Sequence, residues 1–226
     1  MRSPVQAVLF DLDGTLLDTV ADISAALNRA LIEQRATTLP ESEVRTLIGR
    51  GVPVLIERTL SRVPGGAPED ARRLHERFDF HYEQIQHSGA MQTRPYPGVA
   101  HGLAELHALG CKIAVVTNKP ARVSIELLSR LGLEQWIDEV VGGDCGYRKP
   151  EPQPLLLACE RLGVPSAETV MVGDSLIDVR AARAAGMPIV CVPYGYNEGA
   201  DPRTLACDAF IESIDELPAL LTTRGP

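Results

Sequence analysis

Cysteine is scarce and unpatterned in this chain: Cys111, Cys145, Cys159, Cys191 and Cys207 make an odd total of five with no C-x-x-C pair. A disulfide framework and a structural zinc site both need paired thiols, so the pattern argues against both and reads as incidental thiols in a reducing compartment. Aromatic residues are only 4% of the 226 residues, too few for a platform on which single-stranded nucleic acid could stack. Positive charge is the minority sign. With 22 Lys and Arg against 30 Asp and Glu, the net charge is −8, the opposite of the basic surface that nucleic acid selects. No stretch approaches the ~18 consecutive apolar residues of a membrane helix. After Met1 and Arg2 the first apolar run meets Asp11 and Asp13 too early for a secretory leader. The expectation is a cytoplasmic protein, monomer or homodimer, with a small-molecule substrate and neither a nucleic-acid nor a membrane partner. The 45% hydrophobic and 23% charged content is that of an ordinary globular chain able to bury a full core.

What is present is a change of hydrophobic period along the chain. Ala7-Val8-Leu9-Phe10 is a short continuous apolar run and reads as a buried strand. From Ile23 the spacing becomes helical, with Ile23, Ala26, Leu27, Ala30 and Leu31 on one face and Thr19 as the expected N-cap. Further helices are expected over 41–48, 54–60 and 69–86, separated by the loop Pro64-Gly65-Gly66-Ala67-Pro68. Beyond Arg94-Pro95-Tyr96-Pro97-Gly98, helices alternate with short apolar strands at 113–116, 139–141, 170–172 and 189–192. Alternation with short connections implies a parallel sheet covered on both faces. The fold class expected is therefore α/β: a doubly wound, Rossmann-like parallel sheet formed by 1–17 and 93–226, with 18–92 inserted as a helical domain.

In such a sheet, ligands bind beyond the carboxyl ends of the strands. The first strand ends in Asp11-Leu12-Asp13-Gly14-Thr15, the second in Thr117-Asn118-Lys119-Pro120, and a later one in Gly173-Asp174-Ser175 with Asp178 one helical turn on. Asp11 and Asp174 would offer hard oxygen ligands to one cation, a set that suits Mg²⁺ better than zinc or copper. With that cation present, Asp11 can stay ionised and attack phosphorus, while Asp13 carries a proton to the leaving oxygen and later takes one from water.

These three placements, together with Lys149, resemble the four motifs of the haloacid dehalogenase superfamily phosphatases. Asp11-Leu12-Asp13-Gly14-Thr15 is similar to the first, Thr117 to the second, Lys149 to the third, and Gly173-Asp174-Ser175-x-x-Asp178 to the fourth. The helical insertion resembles the C1 type of cap. Within the superfamily, Val115-Val116-Thr117-Asn118-Lys119-Pro120, Val141-Gly142-Gly143-Asp144, Lys149-Pro150-Glu151-Pro152-Gln153-Pro154 and Tyr194-Gly195-Tyr196-Asn197 look like the phosphoglycolate phosphatases. The resemblance implies Asp11 as nucleophile and Asp13 as general acid and base. It implies that Thr117 and the Asn118 backbone hold phosphoryl oxygens and that Lys149 neutralises charge on the nucleophile. Asp11, the Asp13 carbonyl and Asp174 would bind Mg²⁺, with Asp178 in or near the outer shell. The expected reaction is hydrolysis of 2-phosphoglycolate to glycolate and phosphate. The alternatives are a sugar phosphatase, for example on N-acetylmuramic acid 6-phosphate, and a phosphoryl transferase like β-phosphoglucomutase. Where the family's cap loop often reads Gly-Asn-Gly, this chain has Gly49-Arg50-Gly51. Arg50 is expected to bind substrate, since a guanidinium fits a carboxylate with two parallel hydrogen bonds.

Overall fold

The computed structural model describes residues 5–223; positions 1–4 and 224–226 of the expected core range lie outside the described residues. The chain enters with β1 (Ala7–Phe10) and the short β2 (Leu17–Asp18), then runs through α1 (Val20–Glu33), α2 (Glu41–Arg45), α3 (Val52–Leu60) and α4 (Ala71–His87). It returns through β3 (Arg94–Pro95) and continues as α5 (Val99–Ala108), β4 (Lys112–Val116), α6 (Ala121–Arg130) and β5 (Glu139–Val141). The remainder is α7 (Gln153–Leu162), β6 (Thr169–Gly173), α8 (Leu176–Ala184), β7 (Ile189–Cys191), β8 (Ala209–Phe210) and α9 (Leu217–Thr223).

Strand β1 is wholly buried because it has a parallel neighbour on each edge and helices on each face. Val8 aligns with Ile113 of β4 on one side and with Val170 of β6 on the other. The sheet is six-stranded, in the order β5-β4-β1-β6-β7-β8, with every adjacent pair parallel. Side chains alternate across it. Val8, Phe10, Val115 and Val172 pack with Leu103 of α5 and Leu127 of α6. Leu9, Ala114, Val116 and Met171 pack with Leu155 of α7 and Ala182 of α8. Burial on both faces is why β1 reads as an unbroken apolar run rather than an alternating one.

Helices α1 to α4 form a separate apolar cluster between β2 and β3. The expected face of α1 is buried as read, from Ile23 through Leu31. It meets Leu74, Phe78 and Tyr82 of α4, spaced four apart on one helix face. At the base of this unit Asp22 is fully buried. Its carboxylate accepts the backbone N–H groups of Gln92 and Thr93 at 2.9 and 2.8 Å, tying the outgoing helix to the returning chain. Thr19 stands at the N-cap position, but its side chain makes no capping bond. The Tyr196 hydroxyl accepts the N–H groups of Thr19 and Val20 instead, at 2.7 and 3.0 Å, and donates to Asp18 at 3.1 Å. The β2–β3 antiparallel ribbon and the edge strand β8 are each two residues long, too short to show any period in sequence.

Candidate active site

Adjacent central strands β4, β1 and β6 end side by side, so Thr117, Asp11 and Asp174 reach one edge of the sheet together. Strands β4 and β5 build out to one side of β1 and β6, β7 and β8 to the other, and that reversal leaves a crevice beyond the strand ends. Asp11, Asp174 and Asp178 each bring a carboxylate oxygen within 4.8 Å of the other two, and all three residues are buried.

Each of these carboxylates is held by a different local device. Asp174 accepts from the Thr15 hydroxyl at 3.0 Å through Oδ1, and from the backbone N–H of Tyr196 at 2.6 Å and of Asn197 at 3.4 Å through Oδ2. The turn after Asp13 has to come close to that carboxylate. A Cβ on Gly14 would lie 2.6 Å from Asp174 Oδ2, and Gly14 has φ +91°. Asp178 sits in a capping box at the start of α8. Its Oδ2 accepts the Ser175 N–H and hydroxyl at 3.1 and 2.6 Å. Its Oδ1 faces Lys149 Nζ at 2.7 Å, and the same ammonium reaches Asp11 Oδ1 at 2.8 Å. The helix-start role of Asp178 and its place beside the cluster thus use different oxygens.

Lys149 is positioned by Asn118. The Asn118 amide accepts the Lys149 N–H at 2.9 Å and donates to the Lys149 carbonyl at 3.0 Å. It also donates to the Gly49 carbonyl at 2.9 Å, which joins the second strand's loop to the helical insertion. Thr117 is buried, and its hydroxyl accepts the Lys119 N–H at 3.2 Å. Pro120 occupies the N-cap position of α6, so Thr117 does not cap that helix.

Electrostatically the cluster is short of positive charge. Burial pushes the Asp11 carboxyl up to about 8, with Lys149 opposing and the charges of Asp178 and Asp174 adding to the rise. Burial, then Asp178, pushes Asp174 up to about 6. Burial works against the charge on Lys149, but Asp11 and Asp178 outweigh it and hold the ammonium well above its ordinary value. Three carboxyl groups share one ammonium, so ionising all three would leave two negative charges uncompensated. An all-oxygen donor set with that imbalance fits a hard divalent cation.

Asp13 turns away from this cluster. Its carboxylate pairs with Lys119, whose Nζ lies 3.1 Å from each oxygen, and both residues line the cleft between the sheet edge and the insertion. Lys119 is itself buried and lies 4.9 Å from the centre of the Tyr82 ring of α4. Sequence reasoning assigned Lys119 no role. The available signal was its place directly after Thr117-Asn118 at a strand end.

Arg50 is not brought to the cleft. Gly49 and Gly51 line it, but the Arg50 guanidinium forks onto Glu198, with Nε to Oε1 at 2.8 Å and Nη2 to Oε2 at 3.0 Å. Arg58 of α3 joins the same carboxylate. Arg45 of α2 donates to the carbonyls of Tyr194 and Gly195 at 2.8 and 2.9 Å and lies over the Tyr196 ring. Three arginines of the insertion therefore clasp the loop whose backbone holds Asp174.

An acidic cluster at the carboxyl edge of a doubly wound sheet, under a helical insertion after the first strand, defines a class. The chain belongs to the haloacid dehalogenase-like hydrolases, whose family model matches residues 8–192. It is 44% identical over 220 residues to a phosphoglycolate phosphatase of Cupriavidus necator, covering 97% of this chain and 94% of that one. It is 42% identical over 221 residues to a phosphoglycolate phosphatase of Nitrosospira multiformis, covering 96% of each. Among solved structures, a predicted phosphoglycolate phosphatase from Haemophilus somnus superposes with a TM-score of 0.89 at 28% identity, over 96% of this chain and 98% of that one. The protein is an enzyme, a phosphatase. Among the described residues, no helix is long and apolar enough to cross a membrane.

Proposed function

We propose that the protein hydrolyses 2-phosphoglycolate to glycolate and phosphate in the cytoplasm, with Mg²⁺ held by Asp11, Asp174 and the Asp13 carbonyl. The observation that carries this reading is the buried Asp11 carboxylate, salt-bridged to Lys149 within an uncompensated acidic cluster at one end of a cleft. The full-length similarity to proteins named for that activity supports the choice of substrate.

In this reading the bound cation lowers the cost of keeping Asp11 ionised beside Asp174 and Asp178. Thr117 and the Asn118 backbone steady the phosphoryl oxygens, and Lys149 balances charge as it moves from Asp11 to phosphorus. The Asp11 carboxylate oxygen bonds to phosphorus as the ester P–O bond breaks, and Asp13 gives its proton to the departing alkoxide. Asp13, now ionised, takes a proton from water as that water attacks the aspartyl phosphate, and Asp11 leaves as a carboxylate. The insertion, 18–92, acts as a cap that closes the cleft against bulk water over the core formed by 1–17 and 93–226.

Phosphate release from a panel of small phosphate esters tests the reading. The highest kcat/KM should fall on 2-phosphoglycolate, activity should vanish in excess chelator, and Mg²⁺ should restore it. A higher kcat/KM on a sugar phosphate, or turnover that depends on a bisphosphate activator, would replace this reading with one of its two rivals.

A further inference from the structure

Among the described residues lining the cleft, Lys119 is the only basic side chain. Its ammonium sits between the Asp13 carboxylate on the sheet side and the Tyr82 ring on the insertion side. The Tyr82 hydroxyl beside it is buried and makes no hydrogen bond of good geometry. Most of the remaining wall on the insertion side is apolar, from Ile48, Val52, Leu55 and Phe78. Asp79 is the acidic exception, and it lies toward solvent with His75 at 3.4 Å. Among the described residues, Asp13 is the only group within ion-pair distance of this ammonium, with Tyr82 as its aromatic neighbour, and an ammonium has three donors. The other charged candidate for this face, Arg50, already has both arms of its guanidinium on Glu198.

We propose that Lys119 is the residue that selects an anionic group on the carbon side of the substrate, and that in this enzyme the group is the carboxylate of the phosphate ester. The inference rests on the phosphatase reading above, in which the phosphoryl group lies against Asp11. Only three covalent bonds separate phosphorus from the carboxyl carbon of phosphoglycolate, so a carboxylate leaving Asp11 toward the insertion meets Lys119 first. The ammonium then bridges the substrate carboxylate and one oxygen of the Asp13 carboxyl, whose other oxygen carries the proton to the ester oxygen. A neutral hydroxymethyl group in place of the carboxylate gains little from this contact. An apolar group would strand the ammonium beside Asp13 alone. Tyr82 contributes from the insertion side: its ring face favours the cation, and its hydroxyl is placed to donate to the second carboxylate oxygen.

The test compares 2-phosphoglycolate with 2-hydroxyethyl phosphate, which keeps the chain and phosphate but lacks the carboxylate. Wild type, Lys119→Gln and Lys119→Arg are measured on both, with thermal melting to show that each folds. The Gln variant should lose about 10–100-fold more kcat/KM on phosphoglycolate than on the hydroxyethyl ester, as expected when a charged hydrogen bond is removed, chiefly through KM. Arginine should restore part of the preference. Should the Gln variant fail to fold, Lys119→Met, of similar length, carries the same comparison. Equal losses on both esters, or a preference intact without the ammonium, would overturn the assignment and leave phosphoglycolate hydrolysis standing. A wild-type enzyme with no preference for the carboxylate ester would overturn both.

Discussion

Asp11 is where opposing forces on a single side chain are easiest to weigh. Its carboxyl is buried and raised to about 8 even with Lys149 at 2.8 Å. Without a cation the folded protein therefore holds protons on Asp11 and Asp174 that the unfolded chain releases near 3.8. The stabilising contribution of the protonated groups is full below that value and is lost as pH rises through about 6 and then about 8. Chelated protein should melt at progressively lower temperature from pH 4 to pH 9, and Mg²⁺ should remove most of that slope. A flat profile in chelator would mean that the cluster carries no such charge imbalance. Asp11→Asn should abolish turnover while leaving the protein folded, because an amide is a poor nucleophile at phosphorus. Asp13→Asn should slow phosphoglycolate hydrolysis by about 10²–10⁴-fold, the usual size of a lost proton transfer. A steady-state rate within tenfold of wild type would remove Asp13 from that role.

At the scale of elements, the loop after β7 does two jobs with a single residue. The Tyr196 N–H holds Asp174, and the Tyr196 hydroxyl caps the start of α1. Tyr196→Phe leaves the backbone bond to Asp174 in place but strips two buried N–H groups of their acceptor. Denaturant unfolding should show a loss of about 1–3 kcal/mol. Loss of activity without loss of stability would show that the hydroxyl serves chemistry rather than the helix. Gly14 is the counterpart on the β1 side. Gly14→Ala places a Cβ against the Asp174 carboxylate at a positive φ, so it should destabilise by more than about 1 kcal/mol and weaken Mg²⁺ binding measured by calorimetry.

For the whole molecule, the question is what holds the insertion over the core. The Arg50–Glu198 fork crosses that boundary, with Arg58 on the same carboxylate and Arg45 on the neighbouring carbonyls. Arg50 is more than a third exposed, so screening limits the pair to roughly 1 kcal/mol. Arg50→Ala should then raise KM by a small factor on any phosphate ester, Glu198→Ala, which also releases Arg58, should raise it at least as much, and the double variant should be no worse than Glu198→Ala alone. A loss confined to phosphoglycolate in Arg50→Ala alone would return Arg50 to the substrate-binding role first expected of it.

The sequence by itself determined the layers and which acidic residues stand at the strand ends. Ala7–Phe10 read as a buried strand, since a strand covered on both faces is apolar without interruption. The period of Ile23 to Leu31 required a helix with one buried face. Asp11 and Asp174 were legible because each directly follows an apolar strand, Asp13 lies two residues beyond Asp11, and strand ends in this topology converge. These are local patterns, set by backbone period and by where a run stops. What only the tertiary structure decided are contacts between residues far apart in the chain. Lys119 reaches Asp13 across 106 positions, Arg50 reaches Glu198 across 148, and Tyr196 caps a helix that begins 176 positions before it. No period or spacing encodes such a pairing. Whether a flexible arginine bends toward a cleft or toward a carboxylate on its rim depends on the geometry of both partners. That geometry exists only once the sheet has set the loops side by side.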